Sequence, residues 1–403
     1  MCRVVRFHVL LMGSVLLIAG WGSRSLHAET LVELSNTNTK ASWIGRVEGQ
    51  NQTHCWLMGQ DGVLHQIALK DVTNFRRVSP QFKRLTTLQM KSQLHSEFGR
   101  DFEVATTARY ITVAPRGTAS AYVKLFDQVY RQFYSYFKLR GMNLDEPEFP
   151  MVSVIFPDQQ QFIDYCRQDG VRYQPELQGY YQPRTNRVAL YIPTNQVTWQ
   201  SPSRVNSSLS LRKTFEQSPS PFPTVDTFSQ SEHYANLALL DEELANTIIH
   251  EGTHQVAFNM NLHSRLGDNP RWVVEGLAMV FESPGIRTAS RVTEETLNRE
   301  RFLWFGDYSS RRRPDNALAN FVVSDNLFNS SALDAYSEAW ALSYYLLETR
   351  PRQYVDYLKL VSTHSNGRRY TPEERLTDFQ EVIHSNLTKI ESDYLRYHER
   401  LRR

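Results

Sequence analysis

From about residue 30 to residue 80 the chain alternates short apolar runs with polar and turn-forming residues. Runs at Ala41–Gly45, Thr53–Met58 and Val63–Ala68 read as strands, and Gln60, Asp61 and Gly62 supply turn chemistry between the last two. Together they predict a small antiparallel β-barrel. Over Thr86–Phe98 the pattern changes to a polar helix whose Leu88, Met90, Leu94 and Phe98 give it one partly apolar face. Strand and helix patterns then alternate: strands at Phe102–Ala105, Tyr110–Val113, Met151–Phe156 and Arg187–Ile192, a long aromatic-rich helix at Ala119–Leu139, and a shorter helix at Gln159–Gln168. Such alternation predicts an α+β layer packed on a mixed sheet.

Between Thr198 and Asp241 the periodicity stops and Ser, Gln and Pro dominate. A structureless stretch of that length inside a domain is either a functional lid or binding loop or simply mobile. Beyond it, helical patterns resume at Asp241–Met260, Pro270–Glu282 and Ala335–Leu347. At the other end, Arg3 and Arg6 precede an apolar run from Val9 to Gly20, followed by small or polar residues up to Ala28. The run is short for a bilayer span and reads as a signal peptide, with an uncleaved anchor as the alternative. Either way the body of the protein is expected outside the cytoplasm, periplasmic or extracellular. The expected organisation is a signal peptide at 1–28, a small β domain at 29–85, a linker helix at 86–99, an α/β subdomain at 100–198, an insertion at 199–240 and a helical subdomain at 241–403.

Composition changes this picture little. At 403 residues, 41% hydrophobic and 22% charged, the chain has the material for more than one core and is not a disordered polymer. A formal net charge of +2 provides no global field for nucleic acid or an anionic membrane, so a partner must be argued from a site. Of three cysteines, Cys2 belongs to the export segment. Cys55 and Cys166 fit two buried thiols better than a bridge, because a chain of this size needs no staple.

The site is suggested at residues 250–254, where His250 and His254 are separated by Glu251, Gly252 and Thr253. On a helix the two imidazoles lie one turn apart on the same face and can reach one tetrahedral Zn²⁺, with Glu251 beside them to activate a water. Gly252 costs about 1 kcal/mol in a helix interior relative to Ala, which implies a close neighbour there. A catalytic zinc needs a third protein ligand. Glu275, 21 residues after His254, sits among Trp272, Val273, Val274, Leu277 and Ala278, where an unpaired carboxylate would be strongly disfavoured. Metal ligation explains it better than solvation.

With Glu275, Gly276 and Ala278 following Trp272 on a second helix, this pattern is similar to that of the gluzincins, which include thermolysin and the aminopeptidase N family. The resemblance implies a zincin-type metallopeptidase domain with one zinc per chain held by His250, His254 and Glu275. It also implies Glu251 as general base and Tyr336, 86 residues after His250, as donor to the oxyanion. A core aromatic is the competing reading for Tyr336. From about residue 100 to 350 the chain resembles the bacterial family labelled domain of unknown function 1570, grouped with zinc peptidases. The N-terminal β segment resembles small SH3-like modules.

Two departures qualify the analogy. Thermolysin-like enzymes place an aspartate one turn after the third ligand, where this chain has Met279; Glu282 is the candidate to support a ligand histidine instead. No glutamate-rich motif for anchoring a free α-amino group is found. The resemblance further implies a peptide or protein substrate, lying along the strand Arg187–Ile192 with Val188 and Leu190 at the cleft. Arg311, Arg312 and Arg313 read either as an acidic-substrate contact or, more simply, as a solvated loop. The rival to a peptidase is a catalytically silent scaffold of the cell envelope with the same fold.

Overall fold

The computed structural model describes residues 30–192, 242–364 and 368–403; the expected signal peptide and the 199–240 insertion lie outside the described residues. Two compact units are present, one of residues up to Gln60 with Gln66–Lys83, the other of Asp61–His65 with Arg84–Arg403. Among the described residues no helix is long and apolar enough to cross a membrane.

The first unit is a sheet with strand order β4-β3-β2-β1-β5, formed by β1 (Leu31–Asn36), β2 (Ala41–Gln50), β3 (His54–Met58), β4 (Leu64–Ala68) and β5 (Asn74–Ser79). Val32, Leu34, Cys55, Leu57 and Ile67 form its core. The expected closed barrel is not found: among the described residues no pairing joins β4 to β5. Because every position of β5 but Ser79 is exposed, that strand offers no apolar face on which the sheet could close. Cys55 is buried and free, as is Cys166 of the second unit.

In the second unit β6 (Phe102–Thr106), β7 (Tyr110–Pro115), β8 (Met151–Phe156), β9 (Gly179–Gln182) and β10 (Arg187–Tyr191) assemble in the order β6-β7-β8-β10-β9. The central pairs β7–β8 and β8–β10 are parallel, and β6 and β9 run antiparallel at the edges. Helices α1 (Thr87–Phe98), α2 (Ala119–Leu139) and α3 (Gln159–Gln168) cover the sheet. On β8, Met151 and Ile155 face the core shared with α2, whereas Val152, Val154 and Phe156 face that of α1 and α3. A central strand covered on both faces is apolar at consecutive positions, which is how β8 reads except at Ser153, whose buried hydroxyl is hydrogen-bonded to that of Thr112 at 2.7 Å. The helix expected as a linker, α1, is a packed element of this unit, with Met90 and Leu94 buried against the sheet.

From residue 242 onward the chain is helical. It runs through α4 (Glu242–Asn259), α5 (Arg271–Glu282), α6 (Pro284–Thr288), α7 (Thr293–Thr296), α8 (Arg299–Arg311), α9 (Ala317–Val323), α10 (Asn326–Ser330) and α11 (Ala332–Thr349). Three further helices follow: α12 (Pro351–Thr363), α13 (Pro372–Val382) and α14 (Leu387–Leu401). Helix α4 is tied to the sheet by side chains. Gln255 Nε2 donates to the carbonyls of Val152 and Asn186 at 3.0 and 2.8 Å, and Asn186 Nδ2 donates to Asn259 Oδ1 at 2.9 Å. Gly252 faces α2, where an added Cβ would stand 3.2 Å from Val129 and 3.5 Å from Phe126, so a helix does pack tightly at that position.

Helix α5 crosses α11 more closely still. A Cβ on Gly276 would lie under 3.0 Å from the Ala339 carbonyl and the Ser343 hydroxyl, and backbone cannot give way as a flexible side chain can. Gly276→Ala is therefore expected to push α5 off α11 and to cost about 1–3 kcal/mol, as overpacking does. Denaturant unfolding of the variant measures that loss; an unchanged midpoint would mean that the two helices tolerate separation.

Candidate metal centre

Helix α4 sets His250 and His254 one turn apart, their rings nearly perpendicular at 89° with centroids 4.6 Å apart. The two Nε2 atoms approach to 3.0 Å. From α5, Glu275 Oε2 comes to 3.5 Å from His250 Nε2 and 3.8 Å from His254 Nε2. Two nitrogens and a carboxylate oxygen thus form a triangle whose sides bracket the roughly 3.3 Å between ligands of a tetrahedral zinc with bonds of about 2.0–2.1 Å. The three residues form a group that could hold a metal ion.

The next layer fits the same use. Glu282, the last residue of α5, accepts from His250 Nδ1 through Oε1 at 2.7 Å, which sets that nitrogen as donor and turns Nε2 toward His254 and Glu275. Asn298 Nδ2 donates to Glu282 Oε2 at 2.6 Å, while its Oδ1 caps α8 by accepting from the Arg301 N–H at 3.2 Å. Met279, which occupies the place of the aspartate of thermolysin-like enzymes, is 1% exposed in the core, so the histidine support comes from two turns along α5 instead of one. His254 Nδ1 is buried without a partner among the described residues.

Three carboxylates crowd these imidazoles. Burial pushes Glu275 up, but the hydrogen bond with His250 and the charges of His254, His250 and Arg271 outweigh it and bring its pKa to about 2. Burial lowers His250, yet Glu275, Glu282 and Glu251 together raise it well above the ordinary histidine range. Glu251 goes the other way, to about 7: burial raises it, His250 opposes, and Glu275 adds to the rise. It also accepts a hydrogen bond from the Tyr181 N–H of β9. Negative charge in excess of what two imidazoles balance is the environment a divalent cation satisfies.

Tyr336 on α11 is half-buried. Its hydroxyl accepts from Arg271 Nη2 at 2.9 Å, and its ring meets Phe328 edge-on with centroids 5.3 Å apart. Burial and the charge of Glu275 raise its pKa, with Arg271 and His250 opposing, so the hydroxyl sits within electrostatic reach of the cluster.

The cleft strand requires correction. β10 is hydrogen-bonded to β8 on one side and β9 on the other, and Val188 and Leu190 are 0% exposed. Their ladder is spent and their side chains pack under α4, so neither can touch a substrate. The edge is β9, four residues long. The bond from Tyr191 N–H to Gln178 C=O, with antiparallel alternation, turns the main-chain groups of Gly179 and Tyr181 away from β10. The arginine run is solvated in part and paired within the fold. The Arg313 side chain, 4% exposed, is paired with Glu338 and Glu391, whereas Arg311 and Arg312 stay exposed, Arg311 on Asp307 and Arg312 on Asp307 and Asp334.

With this geometry in hand, the class is an α+β chain bearing a metal-competent His-His-Glu group on two crossing helices. Residues 244–366 match the model of a family described as "Protein of unknown function (DUF1570)", a span that includes His250, Glu251, His254, Glu275 and Tyr336. The match is narrower than the 100–350 resemblance expected from the sequence. No curated protein matches the chain.

Asn298 and the Tyr181 amide were passed over in the sequence because neither carries a motif; only the Asn followed by a helical pattern hinted at a cap. Glu282→Ala, which strips the acceptor from His250 Nδ1, is expected to weaken affinity for a divalent transition metal by about 10–100-fold, and Asn298→Ala by less. Chelator competition measures both, and equal affinity in all three proteins would remove Glu282 from the metal's support.

Proposed function

We propose that the chain is an exported zinc peptidase that hydrolyses peptide bonds, with Glu251 as general base. The observation that carries this reading is the convergence of two imidazole nitrogens and one carboxylate oxygen beside the enclosed carboxylate of Glu251. Held by His250, His254 and Glu275, a zinc ion would supply Lewis acidity, lowering the pKa of water and polarising an amide carbonyl.

This chain's own groups would do the rest. Glu251 takes a proton from the attacking water and returns it to the leaving amine; burial raises its pKa, which suits a group that must do both near neutral pH. Tyr336 donates its hydroxyl proton to the carbonyl oxygen as charge develops there, and Arg271, already donating to the same hydroxyl, strengthens it as a donor. Glu282 and Asn298 hold the His250 ring. An extended peptide would add to the sheet at β9, the edge strand whose Tyr181 N–H holds Glu251.

Elemental analysis of the purified protein should find about one zinc per chain, lost in His254→Ala and retained in Glu251→Gln. On a peptide library, Glu251→Gln should lower turnover by about 10²–10⁴-fold, the range general-base catalysis supplies. A folded protein that takes up no zinc even when it is supplied would sink the reading and favour the silent scaffold.

A further inference from the structure

Cleavage chemistry uses the imidazoles, Glu251, Tyr336 and one hydrogen bond from Arg271, but leaves Arg301 and the rest of the Arg271 guanidinium without a role. Arg271 opens α5 one turn before Glu275. Its guanidinium carbon lies 4.6 Å from the centre of the Phe328 ring and 5.6 Å from that of Tyr336. Arg301, in the first turn of α8, brings its guanidinium carbon to 5.8 Å from the same Tyr336 ring. Two cations therefore converge on one tyrosine whose pKa already responds to Glu275 and His250.

Among the described residues neither arginine has the partner that such a position calls for. Among the described residues Arg271 makes no ion pair, and its guanidinium hydrogen-bonds only to the Tyr336 hydroxyl. Arg301, among the described residues, meets a carboxylate only at 3.4 Å, on Glu300, whose side chain is 74% exposed, and the Arg301 Nε is buried there with no hydrogen-bond partner. Elsewhere the fold pairs its enclosed arginines: Arg313 with Glu338 and Glu391, Arg375 with Asp268 and Asp325. Both unmatched arginines also stand in first helical turns, where the macrodipole opposes a cation. Arg271 and Arg301 are only half-buried, so a ligand can reach them.

We infer that Arg271 and Arg301 form a carboxylate-binding subsite adjoining the metal centre, which selects peptides presenting a carboxylate next to the bond to be cut. This rests on the peptidase reading. A guanidinium fork matches a carboxylate in two parallel hydrogen bonds, and the aromatic faces of Phe328 and Tyr336 hold the forks in place. The carboxylate has two sources, a free peptide C-terminus or an Asp or Glu side chain, and both offer the same two oxygens. Among the described residues no hydrogen bond or ion pair joins the Arg301 side chain to His250, His254, Glu275 or Glu251, so the subsite gives it recognition and no part in the cleavage step.

The test uses the full chain carrying Glu251→Gln and loaded with zinc, so that peptides bind without turnover. Calorimetry compares three peptides of one neutral sequence: free C-terminus, amidated C-terminus, and amidated with one Asp added. At least one carboxylate-bearing peptide should bind about tenfold or more tightly than the neutral amide, since a hydrogen bond to a charged group contributes about 1.5–3 kcal/mol. Which of the two does so identifies the source. Adding Arg301→Gln should reduce that peptide to the affinity of the neutral one and leave the neutral one unchanged, while Arg301→Lys should retain part of the preference. Equal affinity for all three peptides, or a loss in Arg301→Gln that is the same for all, would overturn the subsite. In either case wild-type cleavage of the neutral peptide and stoichiometric zinc would leave the peptidase reading standing. No zinc and no binding of any peptide would end both.

Discussion

The approach of α5 to α4 is the constraint on which the rest of this molecule depends. Glu275 can reach both imidazoles only because the helix that carries it is pressed into the core, and Gly276 lets it press there by offering α11 no side chain. On the far side α4 is fixed by Gln255 and Asn259 to main-chain and side-chain groups of the sheet. The ligand triangle is thus clamped between a sheet and a helix pair. Its geometry follows from packing, and its ligand atoms would otherwise repel or strand one another.

The electrostatics follow from that clamp. Glu251, Glu275 and Glu282 meet two histidines in a largely buried site, so proton affinities separate: Glu275 falls to about 2, Glu251 rises to about 7, and His250 is held between two carboxylates. Carboxylates of one kind thereby become suited to different tasks by their surroundings. The support of His250 illustrates how a requirement can be met by another route. An aspartate one turn after the ligand would have entered the core at Met279, and a glutamate two turns on, steadied by Asn298, makes the same hydrogen bond from the end of the helix.

Legibility differed between the two units for a physical reason. In the second unit strands buried on both faces and long amphipathic helices write themselves as strong patterns, and β8, α2 and α5 were readable nearly to the residue. In the first unit β1 and β5 escaped, since β5 is exposed almost throughout and carries no alternation. Strand β9 escaped too, because four residues beside a turn are too short to show a period. Missing β9 misassigned the sheet edge, and with it the expectation for Val188 and Leu190.

The sequence by itself determined which residues could gather at a metal: two histidines at helical spacing, a glutamate between them and a carboxylate embedded in an apolar helix stand out through periodicity and desolvation alone. Only the tertiary structure decided what that chemistry faces. Strand order, the pairing of the Arg311–Arg313 run with Glu338, Glu391 and Asp334, the reach of Asn298 to Glu282 and the convergence of Arg271 and Arg301 on Tyr336 all join residues distant in the chain. Such contacts depend on how whole elements pack, and no local pattern encodes them.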